Sequence, residues 1–221
     1  MKKNNYHHGD LKNNLISLSI DFLQDNDIRD LKLGHISSLS GTSKTSIYRH
    51  FKNKDELIKT LMLIGFDEIH NSLLKVLTNN SLPLIDRYYL GGRVFIDYAL
   101  KNSNMYRLLF GNDYNHIRNE VYDITAEDCI VFSVLKKSIE EGQKKGILIK
   151  TDSFKISVMV WSSFHGLASL LIDGFAEIEK LHEELYNESF ENLLSAYLST
   201  KVKVVSFIPF VKKFMEPNNE S

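Results

Sequence analysis

Cysteine, proline and long uncharged runs are scarce in this sequence of 221 residues, which contains one Cys and three Pro. With Cys129 as its only thiol, the chain can form neither an intrachain disulfide nor a CxxC metal site. The most apolar stretch, residues 156–172, is shorter than the roughly 20 apolar residues that a membrane span needs. It also contains four serines and a histidine. We therefore expect this stretch to lie between other helices and not in a membrane.

The sequence signatures of common enzymes and of exported proteins are also missing. We find no GxSxG, HExxH, phosphate-binding loop or dinucleotide fingerprint, and no base can be identified near Cys129. Lys2 and Lys3 are followed by polar residues in place of the apolar core of a signal peptide. His7 and His8 would point about 100° apart on a helix, and no third ligand follows at i+4. We expect a cytoplasmic protein that is not an enzyme and holds neither a cofactor nor a metal.

The charges divide unevenly along the chain, although their sum is only −1. Residues 1–60 contain ten Lys and Arg against seven Asp and Glu, a net charge of +3. Residues 61–221 contain 17 against 21, a net charge of −4. A mildly basic N-terminal part on an acidic body indicates a protein that contacts nucleic acid at one end. The polar arm at residues 1–5 is expected to be disordered.

A pair of short helices is predicted around Gly41. Leu33, Ile36 and Leu39 have the one-sided apolar spacing of a short helix. Gly41 accepts the left-handed backbone with which a helix stops sharply, and the hydroxyls of the next two residues can cap a second helix. Two short helices joined by a tight turn containing Gly form a helix-turn-helix, whose second helix enters the major groove of DNA.

The second helix carries side chains suited to DNA. Ile47 and Phe51 are four residues apart, share one face and would anchor the helix to its domain. The other positions offer a cation and hydroxyls for base edges and donors for phosphates. Asn53 and Glu56 have the spacing of a capping box, which predicts a third helix. Lys54, in the first turn of that helix, suits a backbone phosphate.

Residues 41–57 have the sequence GTSKTSIYRHFKNKDEL, which resembles the signature of the TetR family of bacterial transcription regulators. The resemblance is dense over residues 6–60. It implies an all-α fold, with an N-terminal three-helix helix-turn-helix domain followed by a larger helical domain for ligand binding and dimerisation. The sequence departs from the family at Thr42, where an aliphatic residue is usual, and at Lys32, where Thr or Ser often caps the helix. The DNA contacts expected from the motif are Lys32, Thr42, Ser43, Lys44, Thr45, Ser46, Tyr48, Arg49, His50 and Lys54.

The domain organisation follows from these assignments. We predict a DNA-binding domain at residues 1–52 and an effector-binding and dimerisation domain at residues 53–221. A long helix starting at Asn53 would connect the two, because no Gly, Ser or Pro linker separates them. The tail at residues 201–215 alternates partly like a strand, and its sequence supports no assignment.

Aromatic residues concentrate on the predicted helix from Leu84 to about Lys101, where Gly91-Gly92 lies in the middle. Two adjacent glycines inside a helix indicate the close approach of a neighbouring helix or of a ligand, and a simple kink is the alternative. We expect the rings of this helix to line an effector site, and those rings are Tyr88, Phe95 and Tyr98.

A second group of rings lies in the apolar stretch. Residues 161–166 read Trp-Ser-Ser-Phe-His-Gly, which resembles the Trp-x-x-x-His-Gly phrase of one C-terminal class of TetR-like regulators. Trp161 and His165 are four residues apart and project from one face of the helix. Together with Phe164 they could frame a ligand pocket. Core packing is the alternative, and it is the one we favour for His165.

Three functions compete on this sequence. The first is a dimeric transcription regulator, a repressor, that binds a palindromic double-stranded DNA operator and responds to a small, largely apolar effector. The second is a constitutive DNA-binding protein of the same fold, and the third, remote, is a helical enzyme. The family resemblance implies a homodimer through the last two helices, at about residues 152–174 and 182–200. A C-terminal cavity of roughly a few hundred Å³ would favour the first function, and a filled core the second.

Overall fold

A computed structural model describes residues 8–121, 130–175, 182–200, 205–206 and 208–215, and within these residues the fold is all-α, as predicted. The described residues contain no β-strand, only an isolated antiparallel bridge between Leu148 and Leu198. Cys129 and the arm at residues 1–5 lie outside the described residues.

A 3-10 turn occupies Ile28–Asp30. The α-helices are α1 His8–Asp25, α2 Leu33–Leu39, α3 Lys44–Ile47, α4 Lys54–Leu77, α5 Leu84–Lys101, α6 Ser103–Phe110, α7 Asn115–Val121, α8 Ile130–Lys144, α9 Ser153–Ile172, α10 His182–Tyr197 and α11 Pro209–Met215.

The chain divides into two compact units. The first takes in the described residues of Met1–Asp67 and Asn102–Asp123, and the second those of Glu68–Lys101 and Ile124–Ser221. The division falls inside α4 and assigns α6 and α7 to the N-terminal unit. The division into compact units therefore differs from the predicted domain boundary between residues 52 and 53. That boundary separates two predicted functions, DNA binding and effector binding, and stays a prediction.

The core of the first unit collects the apolar faces of α1, α2, α3 and the first part of α4. Its fully buried side chains include Leu15, Leu31, Ile36, Ile47, Phe51, Leu57, Ile58, Leu61 and Met62. Helix α1 contacts α2 and α6 and so packs against the helix-turn-helix. Leu39, predicted on the same face as Leu33 and Ile36, is instead 52% exposed. The reason is that a spacing of three residues turns a helix by only about 300°, so the stripe drifts off the core with each step.

Helix α9 is central to the second unit, where it contacts α5, α8 and α10. It begins as predicted at Asp152, whose carboxylate accepts hydrogen bonds from the amides of Phe154 and Lys155. One face is buried, whereas Met159 and Leu170 on the other are 53% and 41% exposed. Burial between helices is thus confirmed for one face only. By length and composition alone, α9 is also the one described helix that meets the criterion for a membrane span, which core helices of soluble proteins meet as well.

The tail at residues 201–215, which the sequence left without an assignment, ends in helix α11. Val211 of α11 is completely buried, and α11 contacts α5 and α10. The Phe210 ring lies 6.0 Å from that of Tyr89. Before the helix, the Ser206 hydroxyl donates to the carboxylate of the buried Asp86. The tail is therefore part of the packing around the start of α5.

A buried ion pair holds three elements of the second unit together. The guanidinium of Arg87, which is 1% exposed, donates to both carboxylate oxygens of Glu141 at 2.6 and 3.2 Å and to the carbonyl of Leu77 at 2.8 Å. Burial by itself would raise the pKa of Glu141, but the hydrogen bonds and charges of Arg87 and Lys145 outweigh it, so this pKa is lowered. The pair connects α5 and α8 with the end of α4.

The Glu141→Gln variant is expected to lower the free energy of unfolding at pH 7 by roughly 2 kcal/mol, because it leaves the buried guanidinium of Arg87 without a counter-charge. Since the folded pKa of Glu141 lies below its ordinary value of 4.5, the ion pair stabilises the fold above about pH 4.5 and is lost as the pH falls through the lower value. Urea unfolding at pH 7 and pH 4 measures both effects. Glu140→Gln, at an exposed neighbouring position, is the control, and equal stability of the two variants would contradict the prediction.

Candidate DNA interface and ligand cavity

The turn between α2 and α3 closes with the hydrogen bonds of a Schellman motif. Gly41 has a φ of +69°, and its amide donates to the carbonyl of Ser38 at 3.1 Å. The amide of Thr42 donates to the carbonyl of Ser37 at 3.1 Å. A left-handed residue is needed at this position, and Gly adopts that backbone without steric cost. The predicted helix-turn-helix is therefore present, with Gly41 in the predicted role.

Helix α3 presents its polar side chains to solvent. Ile47 and Phe51 are 0% and 1% exposed, which confirms that they anchor the helix. Tyr48 is 54% exposed, although it is a large aromatic residue in a well-packed unit. Lys, Arg and Tyr are among the side chains that commonly bond to DNA phosphates. The predicted contact residues that are exposed are Lys32, Ser43, Lys44, Thr45, Tyr48 and Arg49, whereas Thr42, Ser46 and His50 are half-buried.

Two of the hydroxyls in this motif bond differently from the prediction. Ser43 is the N-cap residue of α3, but its side chain accepts no backbone amide and instead shares a hydrogen bond of 2.9 Å with the hydroxyl of Ser46. The hydroxyl of Thr42 shares a 2.7 Å hydrogen bond with that of Ser40. Thr42 thus fills the usual aliphatic position with its polar atom satisfied inside the turn. Lys32 stands at the N-cap of α2 and makes no side-chain cap.

The ammonium of the half-buried Lys54 donates hydrogen bonds to two backbone carbonyls. Its Nζ donates to the carbonyls of Ile28 at 2.7 Å and Arg29 at 3.1 Å, and burial lowers the pKa of Lys54. The start of α4 is fixed further by Asn53, whose Oδ1 accepts from the amide of Glu56 at 2.9 Å. The Glu56 carboxylate accepts from the amide of Lys52, one residue before the partner that a standard capping box uses. Two of the three donors of Lys54 thus bond within the first unit, and the contact of its third donor with a phosphate stays a prediction.

Replacement of Lys54 by Ala is expected to reduce the free energy of unfolding by on the order of 1 kcal/mol, because two hydrogen bonds from a charged donor are lost. Lys44→Ala is the matched control, since Lys44 is exposed at the start of α3. Thermal and urea unfolding of the two variants and the parent chain compare these effects. A Lys54→Ala variant as stable as Lys44→Ala would contradict the structural role of Lys54.

A cavity of about 100 Å³ lies within the second unit. Its wall is almost wholly apolar and combines the end of α4 with α5, α8, α9, α10 and the segment after α8. The lining residues are Leu73, Leu77, Tyr88, Gly91, Gly92, Phe95, Val131, Leu135, Ile139, Leu148, Ile156, Val160, Trp161, Phe164, Phe190, Leu193, Leu194 and Tyr197.

The cavity includes four of the six predicted ligand residues. These are Tyr88, Phe95, Trp161 and Phe164, and their contact with a ligand stays a prediction. Tyr98 and His165 do not line the cavity.

The two excluded side chains point elsewhere for identifiable reasons. The hydroxyl of Tyr98 donates to the carboxylate of Glu68 at 3.4 Å. The imidazole of His165 stacks on the indole of Trp161, with ring centroids 6.0 Å apart and planes inclined by 11°. His165 therefore supports a residue of the wall from outside the cavity, in line with the packing role favoured from the sequence.

The wall residues from α8 and α10 were not predicted as ligand contacts. Both helices have regular amphipathic spacing, which indicates only that one face is buried. The end of α10 meets the segment after α8 through tertiary contacts such as the hydrogen bonds between Ile149 and Tyr197 and between Ser199 and Ile147, at 2.9 and 2.8 Å. No local sequence signal identifies that meeting.

The glycine pair in α5 is explained by close packing. A Cβ at Gly91 would lie 2.9 Å from a methyl group of Leu77, and one at Gly92 would lie 2.7 Å from the hydroxyl of Tyr186 and 3.1 Å from the ring of Phe164. Either contact is shorter than van der Waals packing allows. Of the alternatives raised by the sequence, the close approach of neighbouring side chains is the one observed.

Metal binding has no support in the described part of the chain, where no group of three or more His, Cys, Asp or Glu side chains lies close enough to hold an ion.

Solved structures with a similar fold share little sequence with this chain. A protein of unknown function from Rhodococcus sp. RHA1 has a TM-score of 0.73 at 17% identity, over 89% of this chain and 100% of its own. The TetR family transcriptional regulator PfmR from Thermus thermophilus has a TM-score of 0.61 at 14% identity, over 85% and 99%. RolR, solved in complex with resorcinol, has a TM-score of 0.60 at 10% identity, over 95% of each chain. These likenesses establish the fold alone.

Sequence profiles identify the family. Curated proteins give no match to the sequence. The profile described as bacterial regulatory proteins, tetR family, matches residues 15–61. The profile described as the tetracyclin repressor-like C-terminal domain matches residues 90–197. Together the two profiles span well over half of the chain, with the helix-turn-helix in the first and most of the cavity wall in the second. The chain belongs to the TetR family of transcription regulators.

Proposed function

We propose that this protein is a dimeric repressor that binds a palindromic operator through α2 and α3 and is released by a small, largely apolar effector in the cavity of the second unit. It would act in the cytoplasm, on chromosomal DNA. The observation that carries the proposal is the exposed polar face of α3 on a buried apolar anchor. If α3 served only to pack the domain, an exposed Tyr48 beside Lys44 and Arg49 would have no structural purpose.

The charge distribution supports contact with DNA at the first unit. Residues 1–60 carry a net charge of +3, whereas the rest of the chain carries −4. Neutralising phosphates with Lys and Arg releases condensed counterions, so a local excess of cations favours binding even when the whole protein is slightly acidic.

Helix α4 supports the coupling of the two activities. Its first turn is fixed in the first unit by Asn53 and Lys54, and its last turns contribute Leu73 and Leu77 to the cavity wall. A ligand that displaces those leucines would act on a helix whose other end is fixed beside α3. Such coupling requires that the ligand bind unequally to the DNA-binding and DNA-free arrangements.

A constitutive DNA-binding protein is the second candidate, and the size of the cavity favours it. A volume of about 100 Å³ is below the roughly 300–1,000 Å³ of common ligand pockets. RolR holds resorcinol, a single-ring molecule, on a similar fold. We propose by analogy that a small effector suffices here, and a titration of operator complexes with candidate effectors separates the two functions.

Dimerisation through α9 and α10 is proposed from the unpartnered face of α9. Met159 and Leu170 are exposed on this face, eleven residues and thus about three turns apart. A Cβ at Gly166, between them, would meet nothing within 4 Å. An exposed apolar stripe with small residues is suited to a helix of a second chain. A two-fold dimer would place two α3 helices on half-sites about one DNA turn apart, or a multiple of it.

The Lys44→Ala and Tyr48→Phe variants are each expected to weaken operator binding at least tenfold, because each removes a donor for base edges or phosphates. Both sites are exposed, so folding should be unchanged. Fluorescence anisotropy with a labelled duplex measures the affinity. Lys137→Ala removes an exposed lysine of α8 as the matched control. Parent-like affinity of both α3 variants would refute the assignment of α3 as the recognition helix.

The double variant Met159→Glu and Leu170→Glu is expected to sediment as a monomer, because four carboxylates would be buried at a two-fold interface. Leu100→Glu, at a site on α5 that is 40% exposed, is the control and should remain dimeric. Leu193 and Tyr197 of α10 are unsuitable for this test, since both line the cavity. If the double variant sediments as a dimer, the interface lies on another surface.

A further inference from the structure

The cavity has the volume of a single small ring. Its size of about 100 Å³ is of the same order as an engineered apolar cavity of about 150 Å³ that binds benzene. A fused bicyclic molecule or a longer chain is larger than this volume. The size of ligand that the cavity accepts therefore also depends on how far its wall can move.

Neighbouring residues of the wall are closely packed against one another. A Cβ at Gly91 would lie 2.9 Å from Leu77, and one at Gly92 would lie 3.1 Å from Phe164, so there is no room for a methyl group at either glycine. The Trp161 indole lies between the ring of Phe95, at 5.2 Å, and the imidazole of His165, at 6.0 Å. The α5 side and the indole side of the cavity are thus backed by close contacts.

Two tyrosine hydroxyls beside the cavity are committed to backbone carbonyls. The hydroxyl of Tyr88 donates to the carbonyl of Ser138 at 2.8 Å, and that of Tyr186, just outside the wall, donates to the carbonyl of Tyr89. No lining residue carries a formal charge.

The charged groups of the surrounding helices are likewise paired. Arg87 is held by Glu141, and Arg93 donates to both carboxylate oxygens of Glu183 at 2.6 and 2.7 Å. A charged ligand in the cavity would lose its hydration without gaining a counter-charge, and a ligand with several hydroxyls would leave them unpaired.

We propose that the cavity binds one uncharged, weakly polar ring with at most a short alkyl substituent, of the class of toluene and ethylbenzene. This ligand class rests on the proposed effector role of the cavity. It excludes carboxylates such as benzoate, bicyclic molecules such as naphthalene, and polyhydroxylated rings such as resorcinol as preferred ligands. Recognition here is by volume and apolarity, because the wall presents shape and almost no free polar atoms.

Calorimetric titration of the full chain with toluene, benzoate, resorcinol and naphthalene tests the ligand class. Toluene is expected to bind with one site per chain, at least tenfold more tightly than each of the other three. Tighter binding of benzoate, resorcinol or naphthalene, or no binding of toluene, would overturn the proposal.

Two substitutions test whether this cavity is the site. Val160→Phe should reduce toluene affinity at least tenfold by filling the cavity, and Val158→Phe should not, because Val158 lies on the same helix outside the wall. Leu193→Ala should enlarge the cavity and admit naphthalene, which keeps the test decisive if the filled variant fails to fold. Toluene binding that is equal in Val160→Phe and Val158→Phe, or naphthalene still excluded by Leu193→Ala, would overturn the assignment of the site.

Operator anisotropy with and without toluene separates this inference from the proposed function. Toluene that binds without changing operator affinity would contradict the effector role and leave the ligand class intact. Operator release by a charged or bicyclic molecule, with no binding of toluene, would overturn the ligand class and leave the regulatory function intact.

Discussion

The fixed first turn of α4 is the constraint on which the rest of this structure depends. Asn53 caps the helix, Glu56 accepts the amide of Lys52, and Lys54 directs two of its donors to the carbonyls of Ile28 and Arg29. Because Phe51 is buried immediately before this turn, α3 and the start of α4 are attached to one core. The same helix then continues without a break to Leu77, a residue of the cavity wall. Continuous secondary elements are one route by which binding at one site can be coupled to another.

The second unit uses its polar groups to hold helices together, and this determines what its cavity can recognise. Arg87 with Glu141 connects α5 to α8, Tyr88 bonds to the backbone of α8, and Arg93 with Glu183 connects α5 to α10. Once these groups are paired, the space between the helices is bounded by apolar side chains. Packing and ligand selection are therefore two consequences of the same arrangement. A wall of this kind discriminates by size, and each methylene that is added or removed changes the binding free energy by about 1–3 kcal/mol.

The helix-turn-helix could be predicted because its determinants are local. The glycine turn, the anchors Ile47 and Phe51 and the cap at Asn53 lie within a few residues of one another, and each acts through a neighbouring backbone group. The cavity could be predicted only in part, because its wall joins helices far apart in sequence. Tyr98 does not line the cavity, because three residues beyond Phe95 the helix has turned about 60° short of a full revolution. The carbonyls that Lys54 binds lie 25 and 26 residues earlier in the chain, so the sequence around Lys54 does not indicate them. The tail could not be assigned for the same reason, because its burial depends on α5 and α10.

Selection of bound duplexes from a random DNA pool is the measurement that bears most directly on the central claim. If α3 reads the major groove in a two-fold dimer, the enriched sequences should contain an inverted repeat whose half-sites lie about one helical turn apart, or a multiple of it. The Lys44→Ala variant should enrich no such repeat. Enrichment of a single unrepeated site, or of no sequence at all by the parent chain, would contradict the account.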